Sequence, residues 1–231
     1  CSSDLKNKKT MRAKALLLAA AVSAAALTAV SAATYSVNVV GYINVAVPTG
    51  FSIIANQLDN GAGNDVRDLL QVPATWAGVT LYKYQTGTGG WDILTYDDLD
   101  EDWLPATVGM TLAPGEAAFI ANNTGAALAA TFVGEVMEGN LVVDTPAGFS
   151  IVSSMVPQAG TPEDLGLVEP SVAAGDTIYP FDNGLNTYVP STYDDLDQLF
   201  LPAVNIAVGQ GFWINKLAAG SWTRDFTVPR E

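Results

Sequence analysis

The chain contains no histidine and a single cysteine, Cys1. Without histidine, serine–histidine and cysteine–histidine catalysis are excluded, as are zinc sites built on those ligands. Basic residues are also scarce: 10 Lys or Arg stand against 24 Asp or Glu in 231 residues. Nucleic acid and anionic membrane surfaces both need clustered basic side chains, so neither is an expected partner. No Gly-rich loop ending in Lys is present to cradle a phosphate.

The chain has one long apolar run, Ala15 to Val30. Met11-Arg12-Ala13-Lys14 precedes it and Ser31-Ala32-Ala33 follows, which is the pattern of a secretory signal peptide over residues 11–32 with cleavage after Ala32. Residues 1–10 precede the initiator-like Met11 and read as a non-native, adapter-like leader that carries the only cysteine. Five of the basic residues and one acidic residue lie in residues 1–32, leaving 5 basic and 23 acidic, a net charge of −18. The expected location is therefore extracellular or cell-surface. A secreted domain without disulfides must be held by its core or by bound ions. Self-repulsion on this scale favours solubility and calls for cations as counter-charge.

What the chain does have is duplication. Thr95-Tyr96-Asp97-Asp98-Leu99-Asp100 returns unchanged as Thr192-Tyr193-Asp194-Asp195-Leu196-Asp197, a period of 97 residues. Gly50-Phe51-Ser52-Ile53 matches Gly148-Phe149-Ser150-Ile151, and Gly78-Val79-Thr80-Leu81-Tyr82 matches Gly175-Asp176-Thr177-Ile178-Tyr179. Trp103-Leu104-Pro105-Ala106 matches Phe200-Leu201-Pro202-Ala203. After a three-residue deletion, Phe119-Ile120 matches Trp213-Ile214, and Thr131-Phe132 aligns with Asp225-Phe226. Two domains in tandem are expected, residues 33–137 and 138–231.

Short β-branched or alternating runs bounded by Gly, Pro, Asn and Asp mark strands: Ser36 to Val47, Phe51 to Ala55, Val79 to Tyr84, Trp91 to Tyr96, Ala117 to Ala121 and Leu128 to Val136. One short helix per copy is expected, Asp65 to Leu70 capped by Asn64, and one starting at Thr161-Pro162-Glu163-Asp164. The fold class is all-β, with two sandwich-like or barrel-like domains.

One kind of junction strand occurs at the front, the middle and the back of the chain: Val39 to Ile43, Phe132 to Val136 and Asp225 to Val228. Either each end folds onto its own domain, or the N-terminal strand of one molecule pairs with the C-terminal domain of the next. The second arrangement does not close, and it would build a head-to-tail fibre.

The phrases Val47-Pro48-Thr49-Gly50-Phe51-Ser52-Ile53, Leu112-Ala113-Pro114-Gly115-Glu116 and Phe132-Val133-Gly134-Glu135-Val136 resemble a tandem repeat of secreted proteins from environmental bacteria, as do Ala147 to Ile151 and Val156 to Gly160. The resemblance covers nearly all of the mature chain. It implies export and β-structure, and it carries over no catalytic residue.

The acidic loops are the candidate sites. Asp97, Asp98, Asp100 and Asp102 in the first copy, and Asp194, Asp195 and Asp197 in the second, could supply the oxygen shell that Ca²⁺ requires. The alternative is a solvated acidic turn with Tyr96 and Leu99 buried. Asp59 to Asp65 could likewise be a calcium loop or a plain loop with a helix cap. A glycosidase pair is a poor match, because such chemistry takes one acid and one base from unlike environments, and these clusters are equivalent. Trp76, Trp91, Trp103, Trp213 and Trp222 could stack on sugars or fill the core, and Trp103 and Trp213 align with Phe200 and Phe119 as core positions would.

These features lead to an expected non-enzymatic, secreted structural protein of the cell surface or matrix. It would associate with itself through its N-terminal strand, and Ca²⁺ would neutralise its acidic loops. The alternative is a carbohydrate-binding or adhesion module with polysaccharide as partner.

Overall fold

The computed structural model describes residues 39–229. The signal peptide, its cleavage site and the leader lie outside the described residues, as do positions 36–38 of the first expected strand.

The first copy begins with β1 (Val40–Val47), which pairs antiparallel with β7 (Leu128–Glu135) along its whole length. Its alternating pattern turns Ile43, Val45 and Val47 inward and leaves Val40 and Tyr42 exposed. The main sheet of this copy holds β2 (Gly50–Ile54), β6 (Ala118–Asn122), β3 (Thr80–Gln85), β4 (Gly90–Asp97) and β5 (Asp102–Leu104), in that spatial order. The second copy repeats the plan. There β8 (Gly139–Thr145) pairs with β15 (Gly220–Phe226), and the main sheet runs β9 (Gly148–Val152), β14 (Phe212–Lys216), β10 (Thr177–Asp182), β12 (Ser191–Asp194), β13 (Leu199–Leu201). The counterpart of β4 is split into β11 (Thr187–Tyr188) and β12. Pro190 stands in the gap, where a residue without an N–H cannot continue a ladder. The all-β expectation therefore holds, as antiparallel sheets that form no closed barrel among the described residues.

Three expectations need correction. The first copy has a short helix, α1 (Val66–Leu69), but Asp65 caps it by accepting from the Arg67 N–H. Asn64 instead sits buried at φ 57°. In the second copy Thr161 and Asp164 do cap one another, Asp164 N to Thr161 Oγ1 at 3.2 Å and Thr161 N to Asp164 Oδ2 at 3.0 Å. The chain makes only turns there, because Gly166 follows at φ 79° and ends the segment after one turn. The repeat match near the C-terminus also slips by two residues. Thr131 pairs with Asn44 and Thr223 with Val142, which makes Thr223 the counterpart of Thr131 and Trp222 the counterpart of Ala130.

Each copy has its own core. Leu81, Leu94, Trp103, Ile120 and Phe132 fill the first, and Ile178, Tyr193, Phe200, Phe212, Ile214 and Trp222 the second. A third cluster, Ile53, Ala55, Ala117, Phe119 and Ile151, joins them. Its contacts are reciprocal. Ala55 N donates to Gly209 O at 2.8 Å, and its equivalent Ser153 N donates to Gly115 O at 2.9 Å. The bridge Ile54–Gln210 is matched by Glu116–Val152. Gly209 packs on Val45 and Gly115 on Val143. When residue i touches j and the counterparts of both touch in reverse, the relation is a two-fold. The two copies are arranged as the halves of a homodimer joined in one chain.

Ala117 and Gly211 are equivalent positions that meet on this pseudo-dyad. A Cβ at Gly211 would lie 2.2 Å from the Ala117 Cβ and 2.8 Å from Ile53 Cγ2. Gly211→Val is therefore expected to force the copies apart and cost about 1–3 kcal/mol by overpacking. Urea unfolding should show this as a lower midpoint, and an unchanged midpoint would mean that the seam is loosely packed.

The described junction strands pair within their own copies, β1 with β7 and β8 with β15. Head-to-tail strand exchange would first have to displace the 8 paired residues of β1.

Candidate functional site

The acidic loops fold as capped turns. Asp97 Oδ1 accepts from Leu99 N at 2.8 Å and Asp100 N at 3.2 Å; Asp194 Oδ1 accepts from Leu196 N at 2.9 Å and Asp197 N at 3.3 Å. The turn closes through Glu101 at φ 53° and its counterpart Gln198 at φ 55°. Asp102 accepts from Trp103 N at 2.7 Å and faces Arg67 Nε at 3.4 Å. Asp98, Asp100, Asp195 and Asp197 are exposed on the turns. Among the described residues no three acidic side chains converge so as to hold a metal ion. Asp97 and Asp194 spend one carboxylate oxygen each on amides of their own turn. The Asp59 to Asp65 loop is likewise closed on itself: Asp59 Oδ1 accepts from Gly61 N and Asn64 Nδ2, and Asn60 Oδ1 accepts from Ala62 N and Asn64 N.

Tyr96 and Tyr193 anchor the two acidic turns in the cores, but Leu99 and Leu196 are 89% and 90% exposed, so the expectation of a buried Leu99 fails. Both phenols are held above their ordinary range. Burial is the main cause for each, and at Tyr96 the charges of Glu101, Asp98 and Asp102 act the same way. An unfolded tyrosine ionises near about pH 10. The folded pair keep their protons beyond that point. Their contribution is fully present below about pH 10 and is lost as pH rises through the raised values. Melting temperature is expected to fall above about pH 10, and Tyr96→Phe with Tyr193→Phe should flatten that fall. An identical slope in the double variant would count against the pair.

The aromatic residues form a different kind of surface. Trp76, Trp103 and Trp222 are core residues, and Trp103 Nε1 donates to Leu70 O at 3.0 Å. Trp91 is 43% exposed and Trp213 is half-buried at the seam between the copies, which corrects the core reading of Trp213. Around these two, five aromatic positions occur in both copies. Phe51 corresponds to Phe149, Tyr82 to Tyr179, Tyr84 to Phe181, Trp91 to Tyr188 and Phe119 to Trp213. All lie on the outer face of the main sheets, because strand alternation that buries Leu81 and Ile120 turns their neighbours out.

The pseudo-dyad builds these rings into two pockets. One, of about 550 Å³, is lined by Phe51, Tyr82, Trp91, Ile93 and Phe119 of the first copy with Phe181, Asn186 and Tyr188 of the second. The other, of about 370 Å³, is lined by Phe149, Tyr179, Tyr188 and Trp213 of the second copy and Tyr84 of the first. Each pocket thus takes four equivalent aromatics from one copy and is closed by the equivalent ring of the other, Phe181 or Tyr84. Ring geometry follows the same symmetry. Tyr84–Trp91 and Phe181–Tyr188 both have centroids 5.2 Å apart, and Phe119–Trp213, on the axis, are 6.4 Å apart. Asn183 Nδ2 ties the copies at one edge by donating to Thr49 O at 3.1 Å and Phe51 O at 2.7 Å.

The repeat alignment held the signal for this surface. Applying the 97-residue period to Tyr82, Tyr84 and Trp91 lands on Tyr179, Phe181 and Tyr188, and aromatic character kept at three positions of one face points to a shared surface. No family model, curated protein or solved structure matches the chain.

Proposed function

We propose that this chain is a secreted carbohydrate-binding or adhesion protein of the cell surface or matrix, whose ligand is a β-linked glycan without acidic groups. The observation that carries the reading is the pair of dyad-related aromatic pockets. A soluble protein that leaves so many large aromatics together on one face normally uses them for binding. A pyranose with equatorial hydroxyls offers a flat apolar C–H face that suits such rings, while its edge stays hydrated. The strongly negative chain disfavours anionic polysaccharides. The reading is binding without turnover. The reading needs neither head-to-tail fibre formation nor calcium: the junction strands are already paired within their own copies, and Asp97 and Asp194 cap their own turns.

The test is calorimetric titration of residues 33–231 with cellohexaose and with the hexamer of N-acetylglucosamine, alongside pull-down on the insoluble polymers. Saturable binding that Trp91→Ala weakens is the expected result. Failure to bind either probe, with sedimentation showing association that Trp91→Ala abolishes, would make the face a contact between copies and sink the glycan reading.

A further inference from the structure

The aromatic pockets are so nearly two-fold that stacking alone cannot distinguish the ends of a directional chain. One feature breaks the symmetry. Beside Tyr84, which also lines the second-copy aromatic pocket, lies a polar cleft of about 500 Å³ between the two copies. Lys83, Gln85, Asp92, Glu116, Asp144 and Ser150 line it. Four of these are charged, and the dyad-equivalent position is uncharged in every case: Pro180 for Lys83, Val189 for Asp92, Gln210 for Glu116 and Ala46 for Asp144. At that equivalent edge Asn183 bridges the copies instead.

The charges in the cleft are unequally satisfied. Lys83 Nζ is held by Glu116 at 2.7 Å and donates to Thr111 O and Oγ1, both at 2.9 Å. Glu116 also accepts from Ala113 N at 2.8 Å and Thr111 Oγ1 at 3.0 Å. That pair is internally neutral and occupied. Asp92 accepts from Gln85 Nε2 at 2.7 Å and stands across the ladder from Lys83, and Asp144 accepts from Ser221 Oγ at 3.3 Å; among the described residues neither forms an ion pair. With Lys83 engaged by Glu116, two carboxylates without an ion pair are left in the cleft beside Tyr84, at the edge of the trough that the two pockets form around Tyr188. The Ser150 hydroxyl, in a residue 2% exposed, has no hydrogen-bond partner. Its counterpart Ser52 is also unpartnered, but lies beside the Asn183 bridge.

We propose that this cleft receives a protonated amino group of a glycan whose neighbouring units stack in the aromatic pockets, so that the ligand carries free 2-amino sugars and enters in one direction. The inference rests on the glycan reading of the trough. Asp92 and Asp144 supply the counter-charge from opposite copies, and Lys83 does not oppose it because Glu116 neutralises it at contact distance.

The experiment compares the hexamer of glucosamine with the hexamer of N-acetylglucosamine at mildly acidic pH, where the free amines are charged. The glucosamine hexamer is expected to bind about tenfold more tightly at low salt, with the advantage shrinking as salt screens it. Asp92→Asn and Asp144→Asn should each remove several-fold of that preference and leave the acetylated hexamer unchanged. Equal affinities, or variants that weaken both ligands alike, would overturn the cleft assignment while the trough reading stands. Binding of cellohexaose but of neither amino-sugar hexamer would likewise overturn the cleft assignment alone, and if none of the three binds, the trough reading falls and the cleft assignment with it.

Discussion

Asp176→Ala is expected to destabilise the protein by about 3–5 kcal/mol, because it leaves a buried ammonium without its counter-charge. The Asp176 and Lys216 side chains are 1% and 5% exposed and in direct contact. Lys216 Nζ also donates to Ser171 O at 2.7 Å. Asp176 Oδ1 accepts from Leu217 N at 2.8 Å and Oδ2 from Ala173 N at 2.9 Å. One carboxylate thus pins the loop before β10, the end of β14 and the lysine. The loss is large against a total stability of about 5–15 kcal/mol for a typical domain. The duplication provides the control. At the equivalent places the first copy has Val79 and Asn122, and Asn122 Nδ2 donates to Val47 O at 2.9 Å and Ala126 O at 2.8 Å. The same fold therefore closes this corner without charge. Combining Asp176→Val with Lys216→Asn is expected to recover most of the loss, since replacing both members of a buried pair removes the desolvation cost along with the attraction. Urea unfolding followed by tryptophan fluorescence measures both. A single variant within about 1 kcal/mol of the parent would show that the pair is hydrated and the argument wrong.

The contrast between this pair and the rest of the fold shows what a sequence carries. Strand positions were legible because alternation and β-branching are local: Leu128 to Val136 reads directly as β7, and Phe51 to Ala55 as β2. The Thr161 cap was legible too, but the helix expected after it does not form, since Gly166 ends the segment after one turn. The duplicated hexapeptide drew attention by its charge. The first carboxylate of each copy, Asp97 or Asp194, serves amides in its own turn, as short-range Asx geometry commonly does, and the other two stand exposed. What local pattern could not supply was the pseudo-dyad. Reciprocal contacts such as Ala55–Gly209 and Ser153–Gly115 join residues far apart in the chain, and only these turn scattered rings into two pockets. The misreading of Trp213 has the same origin. Its match to Phe119 is sound, but both stand at the seam where the copies meet rather than inside either copy.

Trp91→Ala is expected to lower glycan affinity by tenfold to a hundredfold, about 1.4–2.8 kcal/mol, while leaving fold stability within about 1 kcal/mol. The ring already has 43% of its surface in water, so its truncation opens no closed cavity. Yet it packs edge-on against Tyr84 and Trp213, with centroids at 5.2 and 6.0 Å, and walls the larger pocket. Tyr188→Ala tests the symmetry. Tyr188 is the dyad counterpart of Trp91 and is 41% exposed, but it lines both pockets. Its loss should reduce affinity at least as much, although the ring is smaller. Trp103→Ala is the opposite case: 1% exposed and bonded through Nε1, it should cost about 3–5 kcal/mol of stability, and the fraction that remains folded should bind with parental affinity. A surface that binds through its rings must separate these variants into affinity losses and stability losses. If Trp91→Ala and Tyr188→Ala both bind as the parent does, the aromatic face is not the ligand site.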